Sequence, residues 1–272
     1  MNKNNNVEIK IPAAGFDAFK TFECGQCFRW ERDEKGTYTG VAYGRAARVY
    51  SRDGAYILYC GHDDYKEVWR DYFDLSVDYN THIKTLSENP PIREALEYGS
   101  GIRILRQEPW ETLISFIISQ CNNIPRIKSI IHTLCRLYGE RFEFDGEVYF
   151  AFPSAERIAA LSDDDLDMLR AGYRANYIKQ AAEKVLSLKL DLNALNELST
   201  DDAKGELKKL CGVGDKVADC VLLYGYHRLD AFPVDVWMKR AIKELGIDFD
   251  GFGEIKGLAQ QYAFHYIRNL RR

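Results

Sequence analysis

A lysine, a carboxylate and a glycine turn lie near one another in the C-terminal part of the chain. The stretch reads Leu207-Lys-Lys-Leu-Cys-Gly-Val-Gly-Asp-Lys216-Val-Ala-Asp-Cys220, and Ala231-Phe-Pro-Val-Asp235-Val follows it. Gly212-Val213-Gly214 joins two short helical patterns. Glycine tolerates positive φ, so the turn can be tight and its backbone N–H groups can face outward. Such a hairpin can hold a phosphate through main-chain donors at a helix N-terminus. Lys216 lies inside the second helix, and Asp235 follows a proline. A phosphate clamp, an amine and a carboxylate in that order point to chemistry on the sugar of a nucleic-acid backbone.

The chain that must position these groups has 272 residues, 46% hydrophobic and 29% charged. That is a globular composition, long enough for one large domain or two smaller ones. No apolar run is long enough to span a membrane. The N-terminus, Met1-Asn-Lys-Asn-Asn-Asn, lacks an apolar signal core, so a cytoplasmic protein is expected. Seven scattered cysteines suit reduced thiols better than a disulfide framework. The net charge of −4 argues mildly against a nucleic-acid partner. It is an average over faces, however. A basic face from Arg103, Arg106, Arg126, Lys128 and Arg174 could stand apart from the acidic runs at Asp163-Asp-Asp165 and Asp201-Asp202.

Two regions differ in periodicity. Thr37 to Tyr43 and Ala46 to Ser51 are rich in aromatic and β-branched residues, and Arg52-Asp53-Gly54 signals a hairpin before Tyr56 to Cys60. Tyr65 to Phe73 reads as a short helix, and Asn89-Pro-Pro91 is punctuation. Beyond it the period becomes helical. Trp110, Leu113, Ile114, Ile117 and Ile118 share one face, and Ile127 to Tyr138 repeats the pattern up to a stop at Gly139. Further helices are expected from Glu156, from Asp163 to Leu169, from Ile178 to Leu188, from Val236 to Leu245, and from about Phe252 to Leu270. The expected fold is α+β. An N-terminal antiparallel β-sheet domain (1–97) precedes a mainly α-helical region (98–272).

With the hairpin and Pro233-Val-Asp235, the chain resembles the HhH-GPD superfamily of DNA glycosylases. Lys216-Val-Ala-Asp-Cys220 narrows the resemblance to the OGG family of 8-oxoguanine DNA glycosylase/AP lyases. Distant segments agree: Gly25-Gln-Cys-Phe-Arg-Trp30, Ser115-Phe-Ile-Ile-Ser119 with Asn122-Asn123-Ile-Pro-Arg126, Gly172-Tyr-Arg174-Ala, and Gly257-Leu-Ala-Gln260 with Phe264. Together they cover most of the chain. Related endonucleases carry an iron–sulfur loop after the catalytic aspartate; no cysteine follows Cys220 here, so that cluster cannot form.

The resemblance implies a mechanism. Lys216 would attack C1′ of the sugar, expel the base and form a Schiff base, which then permits β-elimination. A helix N-terminus and partial burial would favour its neutral amine. Read from spacing alone, Lys216 is more readily a surface lysine on a phosphate than a nucleophile. Asp235 would stabilise charge on the sugar or move the lysine proton; it could also be a plain helix cap, and both can hold at once. The backbone carbonyl of Gly25 would accept the N7–H that 8-oxoguanine has and guanine lacks. Cys220 and Phe264 would sandwich the flipped base, and Gln260 would bond its Watson–Crick edge. On sequence alone those three read as core and helix surface. The resemblance also assigns Arg126 and Arg174 to the estranged cytosine, Tyr173 to a wedge beside the gap, and Gly212, Val213 and Gly214 to phosphate.

Some positions depart from the family pattern. Cys121 replaces the asparagine that fills the space of the extruded base, with Asn122 beside it as a substitute. A thiol is a poorer donor than an amide. Trp237 replaces a histidine on phosphate, and Cys211 a proline. Cys24, Cys27, Cys60 and His62 have the ligand types for zinc, but their spacing is untidy, and no metal or redox cofactor is implied. The expected partner is double-stranded DNA with 8-oxoguanine opposite cytosine, bound by a monomer and not by a membrane protein. The rivals are a glycosylase for another oxidised purine, which Gly25, Gln260 and Phe264 speak against, and a non-catalytic hairpin module. A pure binder needs neither Lys216 nor Asp235.

Overall fold

The computed structural model describes residues 5–12, 15–187 and 189–270. Strands β1 (Asn6–Ile11), β2 (Trp30–Arg32), β3 (Tyr38–Ala42), β4 (Arg45–Arg52) and β5 (Ala55–Gly61) form an antiparallel sheet in the order β1-β5-β4-β3-β2. The β4–β5 turn has positive φ at both Asp53 (50°) and Gly54 (71°). That is the mirror-type turn whose twist matches the flanking strands, which is why Asp-Gly marks the hairpin. Helix α1 (Ala18–Glu23) lays Phe22 flat on Trp30, with ring centroids 4.2 Å apart. Trp30 lies so close over β3 that a Cβ on Gly40 would fall 2.2 Å from its ring. The helical run from His62 to Tyr72 closes this core with Trp69 and Tyr72.

The helical body is built around two buried helices, α4 (Pro109–Ser119) and α10 (Asp215–Gly225). Around them stand α2 (Tyr79–Ser87), α3 (Arg93–Tyr98), α5 (Ile124–Tyr138), α6 (Ala155–Ala159), α7 (Asp163–Met168), α8 (Arg174–Leu186), α9 (Thr200–Leu207), α11 (Val236–Glu244) and α12 (Lys256–Asn269). Tyr79, Leu86, Ile92 and Leu96 pack in this core, so the helices up to Tyr98 join the helical body although they precede residue 98. Cys24 and Phe28 also belong to it, whereas Leu105 packs in the sheet core. The two cores are thus stitched by chain segments that cross between them.

Details differ from the sequence expectations. A second hairpin, β6 (Arg141–Phe144) and β7 (Glu147–Phe150), interrupts the helical region at another Asp-Gly turn. Its Phe144 packs on Val41 and Ala46 of the sheet. Gly139 ends α5 with an extended backbone (φ −79°, ψ 156°), not a left-handed one. It must be glycine because a Cβ would fall 1.9 Å from the Ala151 carbonyl oxygen. The final helix begins at Lys256 after a 3-10 turn, Asp250–Ile255, broken at Gly253 (φ 53°). Helix α8 ends at Leu186; Leu188, its expected end, lies outside the described residues.

Candidate active site

Lys216 occupies the first turn of α10, half-buried, with Nζ 5.0 Å from the centre of the Phe116 ring on α4. Cys220 lies one turn further along α10, fully buried. Burial pushes its thiol up to about 11, with the Lys216 charge pulling the other way. At neutral pH the thiol is therefore uncharged and offers a soft apolar wall.

Asp235 is the N-cap of α11. Its Oδ1 accepts from the backbone N–H of Trp237 and of Met238, both at 2.9 Å. Both cap bonds fall on one oxygen and fix the orientation of the carboxylate. The cap and the chemical role are compatible at this residue.

These groups converge on a narrow pocket lined by Gly25, Phe116, Lys216, Cys220, Tyr224, Pro233, Asp235, Gln260 and Phe264. Every residue assigned to catalysis or base binding from the sequence is on that wall. Its volume is about 40 Å³, room for a few water molecules at roughly 10–15 Å³ each and too little for a bicyclic base. A base can enter only when a wall side chain moves.

The two ends of the chain meet here. Gly25 has φ +89°, a left-handed conformation suited to glycine, and its missing Cβ would stand 3.6 Å from Phe264. Gln26 holds this segment. Its buried amide donates to Thr21 O (2.9 Å) and Arg103 O (2.8 Å) and accepts from Leu105 N (2.9 Å). Gln107 donates in turn to Gln26 O at 2.7 Å. Gln260 donates to Pro233 O at 3.1 Å. Its Oε1 is buried with no hydrogen-bond partner among the described residues. An orphaned buried acceptor costs about 1–3 kcal/mol, and here it borders the pocket, where a base edge carrying donors would satisfy it.

Several DNA-facing candidates are linked by contacts between loops, from Gly212 through Tyr177 to Tyr173 and from Arg174 to Cys121. Gly212 has φ +78°, and a Cβ there would fall 2.3 Å from Tyr177 of α8. Val213 is buried beneath the turn, and Gly214 is the N-cap of α10 with no side-chain cap. Among the described residues the N-cap offers no side-chain acceptor to the first N–H groups of that helix, an arrangement that suits an anion. Tyr177 meets Tyr173 edge-on at 5.7 Å, and Tyr173 is 53% exposed, as a wedge requires. Trp237, half-buried, follows Asp235 in the first turn of α11.

Arg174 and Arg126 are not equivalent. Arg174 is buried, stacked on Tyr173, and donates to the carbonyls of Gln120 (2.8 Å from Nε), Cys121 (3.1 Å) and Ala171 (3.2 Å). In this conformation it clamps the loop that carries Cys121. Arg126 is exposed, and among the described residues its guanidinium makes one hydrogen bond, to Arg170 O at 3.2 Å. Cys121 itself is exposed with φ 45°, a region where asparagine is favoured over cysteine. Asn122 folds back onto Ile118 O (3.1 Å) and Asn123 N (3.0 Å), so its amide is already engaged.

Of the five residues from which a basic face could be built, Arg103 and Arg174 are buried and Arg126 is exposed. Arg103 is buried and spends its donors on Gly15 O and Val77 O, among others, and Arg106 pairs with buried Asp74. Lys128 donates to Trp30 O. Arg103 and Lys128 thus spend donors on backbone carbonyls far away in the chain, and Arg106 stays part-exposed on the Asp74 carboxylate, demands that sequence does not display. The zinc ligand types also separate. Cys24 packs in the helical core, Cys27 and Cys60 in the sheet core, and the His62 side chain is part-exposed beside Asp63. Among the described residues, no three His, Cys, Asp or Glu side chains are grouped to hold a metal.

Sequence reasoning missed Phe116, Tyr224, Pro233, Tyr177 and Gln26. Phe116, Pro233 and Gln26 lie in segments that carry the family resemblance, but their residue types alone gave none of them a role. Gln26 and Tyr177 act through contacts across the chain and leave no local signal.

This architecture, a hairpin lysine and a capping aspartate on one pocket, is that of the HhH-GPD superfamily of base excision DNA repair proteins, whose family model matches residues 114–250. The model of the 8-oxoguanine DNA glycosylase N-terminal domain matches residues 8–113. The chain belongs to the OGG family of HhH-GPD glycosylases. It is 34% identical over 251 residues to the N-glycosylase/DNA lyase of Saccharomyces cerevisiae, covering 81% of this chain and 66% of that protein. A solved structure described as MBOgg1 in complex with a low affinity DNA ligand is 41% identical, with a TM-score of 0.92 over 100% of this chain and 98% of the other. The Clostridium acetobutylicum 8-oxoguanine glycosylase/lyase, solved with double-stranded DNA containing cytosine opposite 8-oxoG, is 35% identical, with a TM-score of 0.89 over 98% and 99% of the two chains.

Proposed function

We infer that the protein is a bifunctional 8-oxoguanine DNA glycosylase and AP lyase acting on duplex DNA. The observation that carries this reading is the meeting of Lys216 and Asp235 with Gly25, Cys220, Gln260 and Phe264 on one pocket. A non-catalytic hairpin module has no use for that convergence.

The proposed reaction follows from the pocket. The damaged nucleotide leaves the stack, at a cost of a few kcal/mol. Its base slides between Cys220 and Phe264 as the wall opens. The Gly25 carbonyl accepts the N7–H, and Oε1 of Gln260 accepts from the Watson–Crick edge. Guanine would present a lone pair to the same carbonyl and lose the bond. The Lys216 amine, once neutral, forms a bond to C1′ as the bond to the base breaks. The base takes the electron pair and a proton. Asp235 stabilises the positive charge that develops on the sugar. Ring opening gives the Schiff base, and loss of a C2′ proton then expels the 3′-phosphate.

We propose that Arg126, exposed and lightly held, reads the estranged cytosine, and that Arg174 supports it by fixing the loop at Cys121. Residues 1–97 would supply the Gly25 side of the pocket and residues 98–272 the Lys216 side, the two parts sharing the core that holds Cys24, Tyr79 and Leu86. Both sides come from one chain, which supports action as a monomer. All seven cysteines are unpaired, which supports a reduced cytoplasmic setting, and among the described residues no helix is long and apolar enough to cross a membrane.

The test is Schiff-base trapping. Duplex DNA containing 8-oxoguanine and borohydride should give a covalent adduct with the wild type and none with Lys216→Gln. Absence of a wild-type adduct would refute the lyase mechanism.

A further inference from the structure

Arg268 stands behind the base pocket, outside the residues so far given a role. It lies one turn after Phe264 on α12 and is 8% exposed. Its guanidinium carbon is 5.7 Å from the centre of the Phe264 ring. The same guanidinium fills the space that a side chain on Gly25 would need, with Nη1 3.2 Å from the missing Cβ. One buried cation therefore touches both the aromatic wall and the backbone turn that reads the lesion. The pocket holds only about 40 Å³, so a wall must yield to admit a base and return to grip it.

We propose that Arg268 is a positioning residue for recognition of the damaged base, an inference that rests on the 8-oxoguanine reading above. A guanidinium over an aromatic face is attracted by the ring quadrupole, and more strongly where water is excluded. Arg268 thus gives the Phe264 ring a preferred resting place beside Gly25. It touches neither Lys216 nor the sugar, so its effect is confined to steps in which a base is bound.

That confinement supplies the test. A preformed abasic site has no base to grip but still requires Lys216. In single-turnover assays, Arg268→Met should slow release of 8-oxoguanine by about tenfold, as expected for loss of a desolvated cation–π contact. Nicking of a preformed abasic site opposite cytosine should stay within about twofold. Arg268→Lys, which keeps a cation near the ring, should recover most of the loss. In a Phe264→Leu background, Arg268→Met should add nothing further. Equal losses on both substrates, no loss on either, or additive losses with Phe264→Leu would overturn the proposal. A wild type that nicks abasic DNA but leaves 8-oxoguanine intact would instead overturn the substrate reading, and this inference with it.

Discussion

Replacement of Gly212 by alanine probes the hairpin at its tightest contact. Two independent costs arise. The residue holds φ +78°, and an L-residue in that region costs about 1–2 kcal/mol. The new Cβ would also fall 2.3 Å from Tyr177 Cδ2 and 2.8 Å from its Cγ and Cε2. Contacts so short force movement, and overpacking of this kind costs about 1–3 kcal/mol. Together Gly212→Ala should destabilise by about 2–5 kcal/mol. Displaced, Tyr177 pulls on Tyr173, so affinity for lesion-free duplex should fall as well. The assay is urea unfolding of Gly212→Ala, Tyr177→Ala and the double variant. Removing the ring relieves the clash but not the backbone strain. The double variant should therefore be more stable than the sum of single losses predicts, by about 1–3 kcal/mol. Strict additivity, or a Gly212→Ala protein as stable as the wild type, would refute the steric argument.

Other expectations follow from single residues. Asp235→Asn keeps an oxygen for the cap, so thermal stability should change little, while base excision should fall by roughly 10²–10⁴; equal activity would refute the charge role. Arg174→Ala strips partners from the carbonyls of Gln120, Cys121 and Ala171 and should cost about 1–3 kcal/mol in chemical unfolding. Arg126→Ala, by contrast, should stay within about 0.5 kcal/mol of wild type while weakening preference for cytosine opposite the lesion. Glu108 is raised from 4.5 to about 7 by burial and then by the neighbouring Glu111 charge. Its protonated form is the one the fold favours, so its cost is absent below pH 4.5 and grows as pH rises to about 7. Glu108→Gln should therefore raise the melting temperature at pH 8 and barely change it at pH 4, with ~3 kcal/mol as the upper limit.

The strands around Asp53-Gly54, the helix at Lys216 and the assignment to a glycosylase family were legible in the sequence, because turn chemistry and motif order are local or linear properties. So were six of the residues that form the pocket, Gly25, Lys216, Cys220, Asp235, Gln260 and Phe264, since each stood in a recognisable segment, whereas Phe116, Tyr224 and Pro233 were not given a place on it. What sequence could not show was how those residues are held. Gln26 fixes Gly25 through carbonyls of residues 21 and 103. Arg103 and Lys128, expected on a DNA-facing surface, are spent inside the protein on backbone carbonyls. Arg174 clamps a loop before it can read a base. Each of these depends on hydrogen-bond donors meeting acceptors far away in the chain, and a charge carries no mark of whether water or a carbonyl will satisfy it. The hairpin's lysine and glycines were thus determined by the sequence itself. Only the tertiary structure closed the pocket over them, by bringing Phe264 against Gly25 and leaving too little room for a base until one wall gives way.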